Sequence, residues 1–163
     1  MSYTITEICN GCESCVRLCP VQAISGKKKE VHVIDADLCI DCGACGRICP
    51  KGSVLDAESN KGLKTLKLWM WPRPVIDLKA CMSCRACVEV CPTRCLEMDL
   101  DVGDKHSRPG LKEPKRCISC GFCVEECPVD AIILAVPSQR RGWQALTPGR
   151  FEMSRRQDAA GGA

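Results

Sequence analysis

Apolar positions fall in short runs along this 163-residue chain, and cysteine, proline or a polar turn cuts off each run. YTIT (3–6) and VIDL (75–78) read as opening strands, and VL at 54–55 and AIILAV at 131–136 as closing ones. Between the first opening and closing pair, ISGKKKEVHVID (24–35) predicts a hairpin, with Ile24, Val31 and Val33 as strand residues around a Gly-Lys turn. The corresponding stretch of the second pair, LEMDLDVGDKHSRPGLKEPKR (96–116), is rich in Asp, Gly and Pro and is expected to loop out. VRL (16–18), GRI (46–48), VEV (88–90) and VEE (124–126) predict short helical turns. Each is followed by Cys-Pro, where proline has no N–H to donate and a fixed φ, so the turn stops.

The cysteines order these elements. CNGCESCVRLCP starts at Cys9, CIDCGACGRICP at Cys39, CMSCRACVEVCP at Cys81 and CISCGFCVEECP at Cys117, all with the spacing C-x2-C-x2-C-x3-C-P. Cysteines at i, i+3 and i+6 on an irregular loop converge on three corners of one cube. The fourth leads away along the helical turn and points at a different cube, as in two-cluster iron–sulfur runs. One cysteine is left over. After the fourth cysteine the repeats read PVQAI, PKGSV, PTRCL and PVDAI, so Cys95 occupies the slot of Ala23, Ser53 and Ala131. A small residue followed by an aliphatic one marks a packing slot, and a buried free cysteine behaves as a small hydrophobe.

Composition narrows the class. Seventeen cysteines in a secreted chain would mean a disulfide scaffold. The N-terminus, MSYTITEICNG, has neither a basic n-region nor an apolar h-region, and no stretch approaches the length of a membrane span. The count is odd and the cysteines come in identical blocks, so the expectation is reduced thiolates holding metal in the cytoplasm. With only six aromatics, small modules bury little apolar surface, and bound clusters are expected to form most of the core. The apo-chain should then be largely unfolded. The formal charge of +3 omits the clusters. At about 2− per oxidised site, four sites bring the total to roughly −5.

Each pair of motifs resembles the bacterial ferredoxins that hold two four-iron clusters. The resemblance covers about residues 1–58 and 74–136. It implies an α+β fold of two tandem bacterial ferredoxin-like modules, each of β-hairpins and short helices around paired [4Fe-4S] clusters, followed by an extended C-terminal tail. The expected domains are residues 1–60, a basic connector at 61–73, a second module at 74–136 and a tail at 137–163. With sequential pairing of motifs and crossed ligation, the implied ligand sets are as follows. The first is Cys9, Cys12, Cys15 and Cys49, and the second Cys39, Cys42, Cys45 and Cys19. The third is Cys81, Cys84, Cys87 and Cys127, and the fourth Cys117, Cys120, Cys123 and Cys91. Nested pairing, motif one with four and two with three, is the alternative. Zinc sites also use C-x2-C pairs but do not account for a third cysteine at i+6 followed by Cys-Pro. A three-iron cluster would lack the second cysteine of its motif, and Cys12, Cys42, Cys84 and Cys120 are all present.

Charge follows the same divisions. Residues 1–60 carry six Lys/Arg against eight Asp/Glu, and residues 81–135 seven against nine. Residues 61–80 carry five basic side chains against Asp77 alone, and residues 136–163 five arginines against Glu152 and Asp158. LWMWP (68–72) either covers the apolar face of one module or offers a docking patch, since aromatics and arginine are enriched at interface cores. His32 and His106 are isolated and expected to be exposed rather than ligands.

No glycine-rich phosphate loop, metalloprotease motif or nucleophile–base pair is present, so the expected chemistry is one-electron transfer and not catalysis. The tandem arrangement with its tryptophan-bearing connector and arginine-rich tail resembles the small polyferredoxin subunits that accompany tungsten- or molybdenum-dependent enzymes of anaerobic metabolism, aldehyde oxidoreductases in particular. That resemblance implies a pterin–metal catalytic subunit as donor or acceptor, and a further acceptor subunit such as a flavoprotein. A free diffusible polyferredoxin is the alternative. A nucleic-acid-binding iron–sulfur module is disfavoured by the acidic holo charge. The basic tail and acidic modules together predict that copies can stack head to tail.

Overall fold

A computed structural model of the protein describes residues 3–99 and 107–136. The first half is built from β1 (Tyr3–Ile5), α1 (Ser14–Leu18), β2 (Ile24–Ser25), β3 (Val33–Ile34), α2 (Ala44–Ile48) and β4 (Val54–Asp56). The second repeats the order with β5 (Arg73–Ile76), α3 (Ala86–Glu89), β6 (Leu96–Asp99), β7 (Arg108–Leu111), α4 (Phe122–Glu125) and β8 (Ile132–Ala135). A single 3-10 turn, Leu68–Met70, lies between them.

Among the described residues every sheet is a two-stranded antiparallel pair, and the pairings stay within each half. β1 pairs with β4, matching Ile5 to Val54, and β2 pairs with β3, matching Ile24 to Ile34. β5 pairs with β8, matching Ile76 to Ile132, and β6 pairs with β7, matching Leu96 to Leu111. The opening strand of each half therefore meets its closing strand, which is the α+β arrangement of two tandem ferredoxin-like modules. Pro74 is tolerated in β5 because a two-stranded sheet has only edges.

Two hydrophobic clusters carry the modules, and cysteine dominates both. Cys15, Cys45 and Cys49 are buried with Ile24 and Val54 in the first. Cys87, Cys91, Cys95, Cys117 and Cys123 are buried with Leu96 and Ile132 in the second. Two-stranded sheets of two- to four-residue strands supply too little apolar area to stabilise a module alone, so the thiol groups occupy the space where a larger protein would place leucine and phenylalanine.

Three expectations need correction. Residues 96–99 and 108–111 do not loop out: they pair as β6 and β7, because Leu96 and Leu111 give the pairing an apolar base. The backbone N–H groups of Lys112 and Glu113 both donate to the Cys95 carbonyl and close that base. Val31 lies outside β3, since the turn before it is pinned by the Lys29 N–H donating to the Gly11 carbonyl at 3.1 Å. His32 is buried, 1 % exposed, immediately before β3. Its ring fills the space beside Gly26, where a Cβ would stand 2.7 Å from His32 Cδ2. His106 and the tail at 137–163 lie outside the described residues.

The connector lies on the first half, where Thr65 donates to the Cys49 carbonyl at 2.7 Å and the Leu66 N–H to the Arg47 carbonyl at 3.1 Å, and then joins it to the second. Trp71 is fully buried in a third cluster with Ala44 of the first half and Ile118 of the second. Its indole Nε1–H donates to the Leu66 carbonyl at 3.0 Å, and the Arg47 guanidinium sits 5.8 Å from its ring centroid. Arg47 also donates to the Ile118 carbonyl across the seam at 3.1 Å. Ser119 donates its hydroxyl to the Pro72 carbonyl, and Arg73 donates to the Cys117 carbonyl. Trp69, two residues away, is 68 % exposed.

Candidate iron–sulfur sites

In all four motifs the backbone turns the same way at the same positions. The second residue after the first cysteine has positive φ: Gly11, Asp41, Ser83 and Ser119. So does the residue after the second cysteine (Glu13, Gly43, Arg85, Gly121) and the third residue after the fourth (Gln22, Gly52, Arg94, Asp130). Only four of these twelve positions are glycine. Left-handed backbone costs a side-chain-bearing residue roughly 1 kcal/mol, and such strain persists where the surroundings over-determine the conformation. The repeated glycine positions in the sequence carried this signal, but only partly, because Ser, Asp, Glu, Gln and Arg fill the other slots.

These loops gather the cysteines around cavities. Cys39, Cys42 and Cys45 line one of about 330 Å³, its open mouth included, together with Cys19 from the first motif. Cys117, Cys120 and Cys123 line another of about 310 Å³ with Cys91 and Cys95 from the third. Cys81, Cys84 and Cys87 line one of about 290 Å³ with Cys127 from the fourth. Cys15 shares a buried cluster with Cys49, and Cys12 and Cys9 are near enough for their charge to act on it. Among the described residues no three or more His, Cys, Asp or Glu side chains close on a single-ion centre. The thiols surround volumes instead of points.

Electrostatics shows what those volumes require. Burial pushes the Cys45 and Cys123 thiols up to about 12 and Cys87 up to about 11, and neighbouring thiols add to each. Cys15, Cys42 and Cys120 are raised for the same leading reason. Four thiolates gathered around one cavity, some of them buried, are tenable only with a compensating cation among them. Soft thiolate donors select iron–sulfur clusters or zinc, and cavities walled by four sulfurs fit the larger group.

Hydrogen bonds to the sulfurs come first from the backbone. The N–H of the residue four beyond each fourth cysteine donates to it: Ala23 to Cys19 at 3.3 Å, Ser53 to Cys49 at 3.4 Å, Cys95 to Cys91 at 3.4 Å and Ala131 to Cys127 at 3.2 Å. This is the slot where alignment of the motifs places Cys95, which is 2 % exposed. Its role exceeds packing. Its Sγ lies 3.4 Å from Cys91 Sγ, a contact in which either thiol can donate, and hydrogen bonding with Cys95 draws Cys91 and Cys117 down while Cys95 itself is pushed up. His32 was also missed as a neighbour: its Nδ1 stands 3.7 Å from Cys9 Sγ.

Residues 8–53 match a family model described as a 4Fe-4S dicluster domain, and residues 73–128 match a second with the same description. The chain carries two 4Fe-4S dicluster domains in tandem. No curated protein matches it closely enough to count as a relative. Among solved structures, it is similar to a chain of the formate dehydrogenase–heterodisulfide reductase–formylmethanofuran dehydrogenase complex from Methanospirillum hungatei, with 22 % sequence identity and a TM-score of 0.41. That likeness covers 82 % of this chain and 50 % of the other, so the dicluster pair spans about half that chain's length. Among the described residues no helix is long and apolar enough to cross a membrane.

Proposed function

We propose that the protein is an electron-transfer subunit holding four [4Fe-4S] clusters, two per dicluster domain, in the four crossed sets of Cys9/Cys12/Cys15/Cys49, Cys39/Cys42/Cys45/Cys19, Cys81/Cys84/Cys87/Cys127 and Cys117/Cys120/Cys123/Cys91. Bound clusters supply one-electron transfer; the chain's own residues fix their order. The observation that carries the reading is the seam at Trp71. Cys42 and Cys120 pack against the same Ala44–Trp71–Ile118 cluster, close enough for the charge of Cys120 to act on Cys42. The second and fourth sites are therefore neighbours across the seam, and the first and third are the outer ones. The sites run first, second, fourth, third, which is not the order of the motifs in the chain.

The outer end at the third site is open to a partner. Cys84 is exposed, and Met82 beside it is 61 % exposed. A redox partner docking there meets a ligand sulfur without crossing protein. The narrower reading, a subunit serving a tungsten- or molybdenum-dependent aldehyde oxidoreductase and a flavoprotein acceptor, is supported by the tandem domains, the tryptophan-bearing connector and the arginine-rich tail. Stacking of copies through that tail belongs to the same proposal and should weaken with salt.

Anaerobically purified protein should contain about sixteen iron and about sixteen acid-labile sulfide per chain, four of each per site. Zinc, or iron near half that value, would refute the four-cluster reading. Cys19→Ala should damage the site built on Cys39, Cys42 and Cys45 and spare the one built on its own loop; electron paramagnetic resonance showing the reverse would end crossed ligation. Co-elution of the native protein with a large catalytic subunit separates a complex subunit from a freely diffusing carrier.

A further inference from the structure

The slot four beyond each fourth cysteine gives its N–H to that cysteine in all four repeats, but its side chain differs. At Ala23 and Ala131 it is a methyl group. At Ser53 the hydroxyl Oγ lies 3.1 Å from Cys49 Sγ, and at Cys95 the thiol lies 3.4 Å from Cys91 Sγ. When the ligand cysteine is a cluster-bound thiolate it has no proton to give, so Ser53 and Cys95 must donate. Thr93 adds a second hydroxyl 3.7 Å from Cys91 Sγ. Among the described residues the sulfurs of the second and third sets gain no comparable side-chain donor. The side chain nearest Cys39 Sγ in such a contact is the Asp41 carboxylate, at 3.7 Å, which accepts and does not donate. Ser83 Oγ, in the third motif, makes no hydrogen bond.

We infer that Ser53 and Cys95 are tuning residues that raise the reduction potentials of the first and fourth sites, giving each dicluster domain one higher-potential and one lower-potential cluster. The inference rests on the ligand sets proposed above. Reduction of a site by one electron adds one negative charge to its thiolate-held core, with no proton taken up and no bond broken. A hydrogen bond aimed at a ligand sulfur stabilises the more negative, reduced state more than the oxidised one, so it raises the potential. Because the backbone N–H is common to all four slots, the side chain makes the difference within the slot; elsewhere Ser14 Oγ, 3.4 Å from Cys12 Sγ, and His32 Nδ1, 3.7 Å from Cys9 Sγ, add to the first set, and Arg73 acts on Cys117 of the fourth. Along the physical order first, second, fourth, third, the donor-bearing sites alternate with the plain ones.

The test is a redox titration with a low-potential chemical reductant, followed by electron paramagnetic resonance, on full-length protein and its Cys95→Ala, Cys95→Ser and Ser53→Ala variants. Iron and sulfide are measured on each first. All should retain the wild-type iron. Cys95→Ala should weaken one of the two higher-potential steps about tenfold in its one-electron equilibrium constant, about 59 mV. Ser53→Ala should lower the other step by a comparable amount, and Cys95→Ser should keep its step near wild type. Unmoved potentials in both Ala variants at full iron would overturn the inference and leave the ligand sets standing. An equal fall in Cys95→Ser and Cys95→Ala would also overturn it, since packing and not donation would be the cause. Loss of about four iron from both Cys95 variants would make Cys95 a ligand, which overturns the inference and the fourth ligand set together. The first, second and third sets are judged separately, by the iron content of the unsubstituted protein and by Cys19→Ala.

Discussion

The two dicluster domains reach the same cysteine loops by different means. The first uses strands of two and three residues and places glycine at three of the six left-handed positions of its cysteine motifs: Gly11, Gly43 and Gly52. The second uses four-residue strands throughout and has glycine at only one, Gly121. Ser83, Arg85, Arg94, Ser119 and Asp130 all sit at positive φ there. The loop shape is therefore dictated by what the four sulfurs must surround and not by local preference. More pairing in the sheets accompanies the greater strain in the loops of the second domain.

The largest effect expected is from removing the metal. Chelation of iron under anaerobic conditions should unfold both domains, because cysteine fills both cores. Hydrogen exchange should show amide protection lost in β5–β8 and β6–β7 as completely as in the shorter strands. Protection surviving in the second domain alone would show that its longer sheets suffice without clusters.

Trp71→Ala should come next, at about 3–5 kcal/mol for a buried aromatic, but it acts on the seam between the domains. Iron content should stay intact while the domains separate, seen as a larger radius in small-angle scattering and as loss of magnetic coupling between the second and fourth sites. An unchanged radius would mean that Arg47, Arg73 and Ser119 hold the seam without the indole.

The same slot should then respond with opposite sign in the two domains. A Cβ on Gly11 would lie 2.4 Å from the Lys29 backbone nitrogen and 2.6 Å from the Glu30 carbonyl oxygen, and backbone atoms do not yield as a side-chain tip would. Gly11→Ala should cost on the order of 3 kcal/mol and lower the temperature at which the iron–sulfur absorbance bleaches. Ser83, the equivalent residue, has φ 59° and a hydroxyl without a hydrogen bond. Ser83→Gly should stabilise by about 1 kcal/mol, raising the same bleaching temperature. The smallest change belongs to Asp99→Asn, which breaks the half-exposed 2.8 Å ion pair with Lys112 on the β6–β7 hairpin. A cost above about 1 kcal/mol would be more than such surface pairs supply.

Much of this was legible in the residues. The spacing C-x2-C-x2-C-x3-C-P specifies three cysteines on one loop and a fourth beyond a helical turn, because both distances are local. The opening and closing strands were readable for the same reason, although β5 begins two residues before VIDL. The β6–β7 hairpin was missed because its Asp, Gly and Pro content is that of a loop, and only the pairing of Leu96 with Leu111 overrides it. His32 looked like a solitary exposed residue, and only the turn pinned at Gly11 carries it in beside Cys9.

The sequence by itself determined the cysteines, their spacing and the repeat that groups them, since these depend on separations of a few residues that chain geometry alone enforces. The tertiary structure decided which sites are neighbours. Trp71 is buried between Ala44 of the second motif and Ile118 of the fourth, so it brings those motifs together across a separation of more than seventy residues, as Arg47 and Ile118 show. It also decided that Cys95, a small apolar residue by alignment, places its thiol against the Cys91 sulfur. Direction in space depends on where β6 and β7 meet, and no spacing along the chain encodes that.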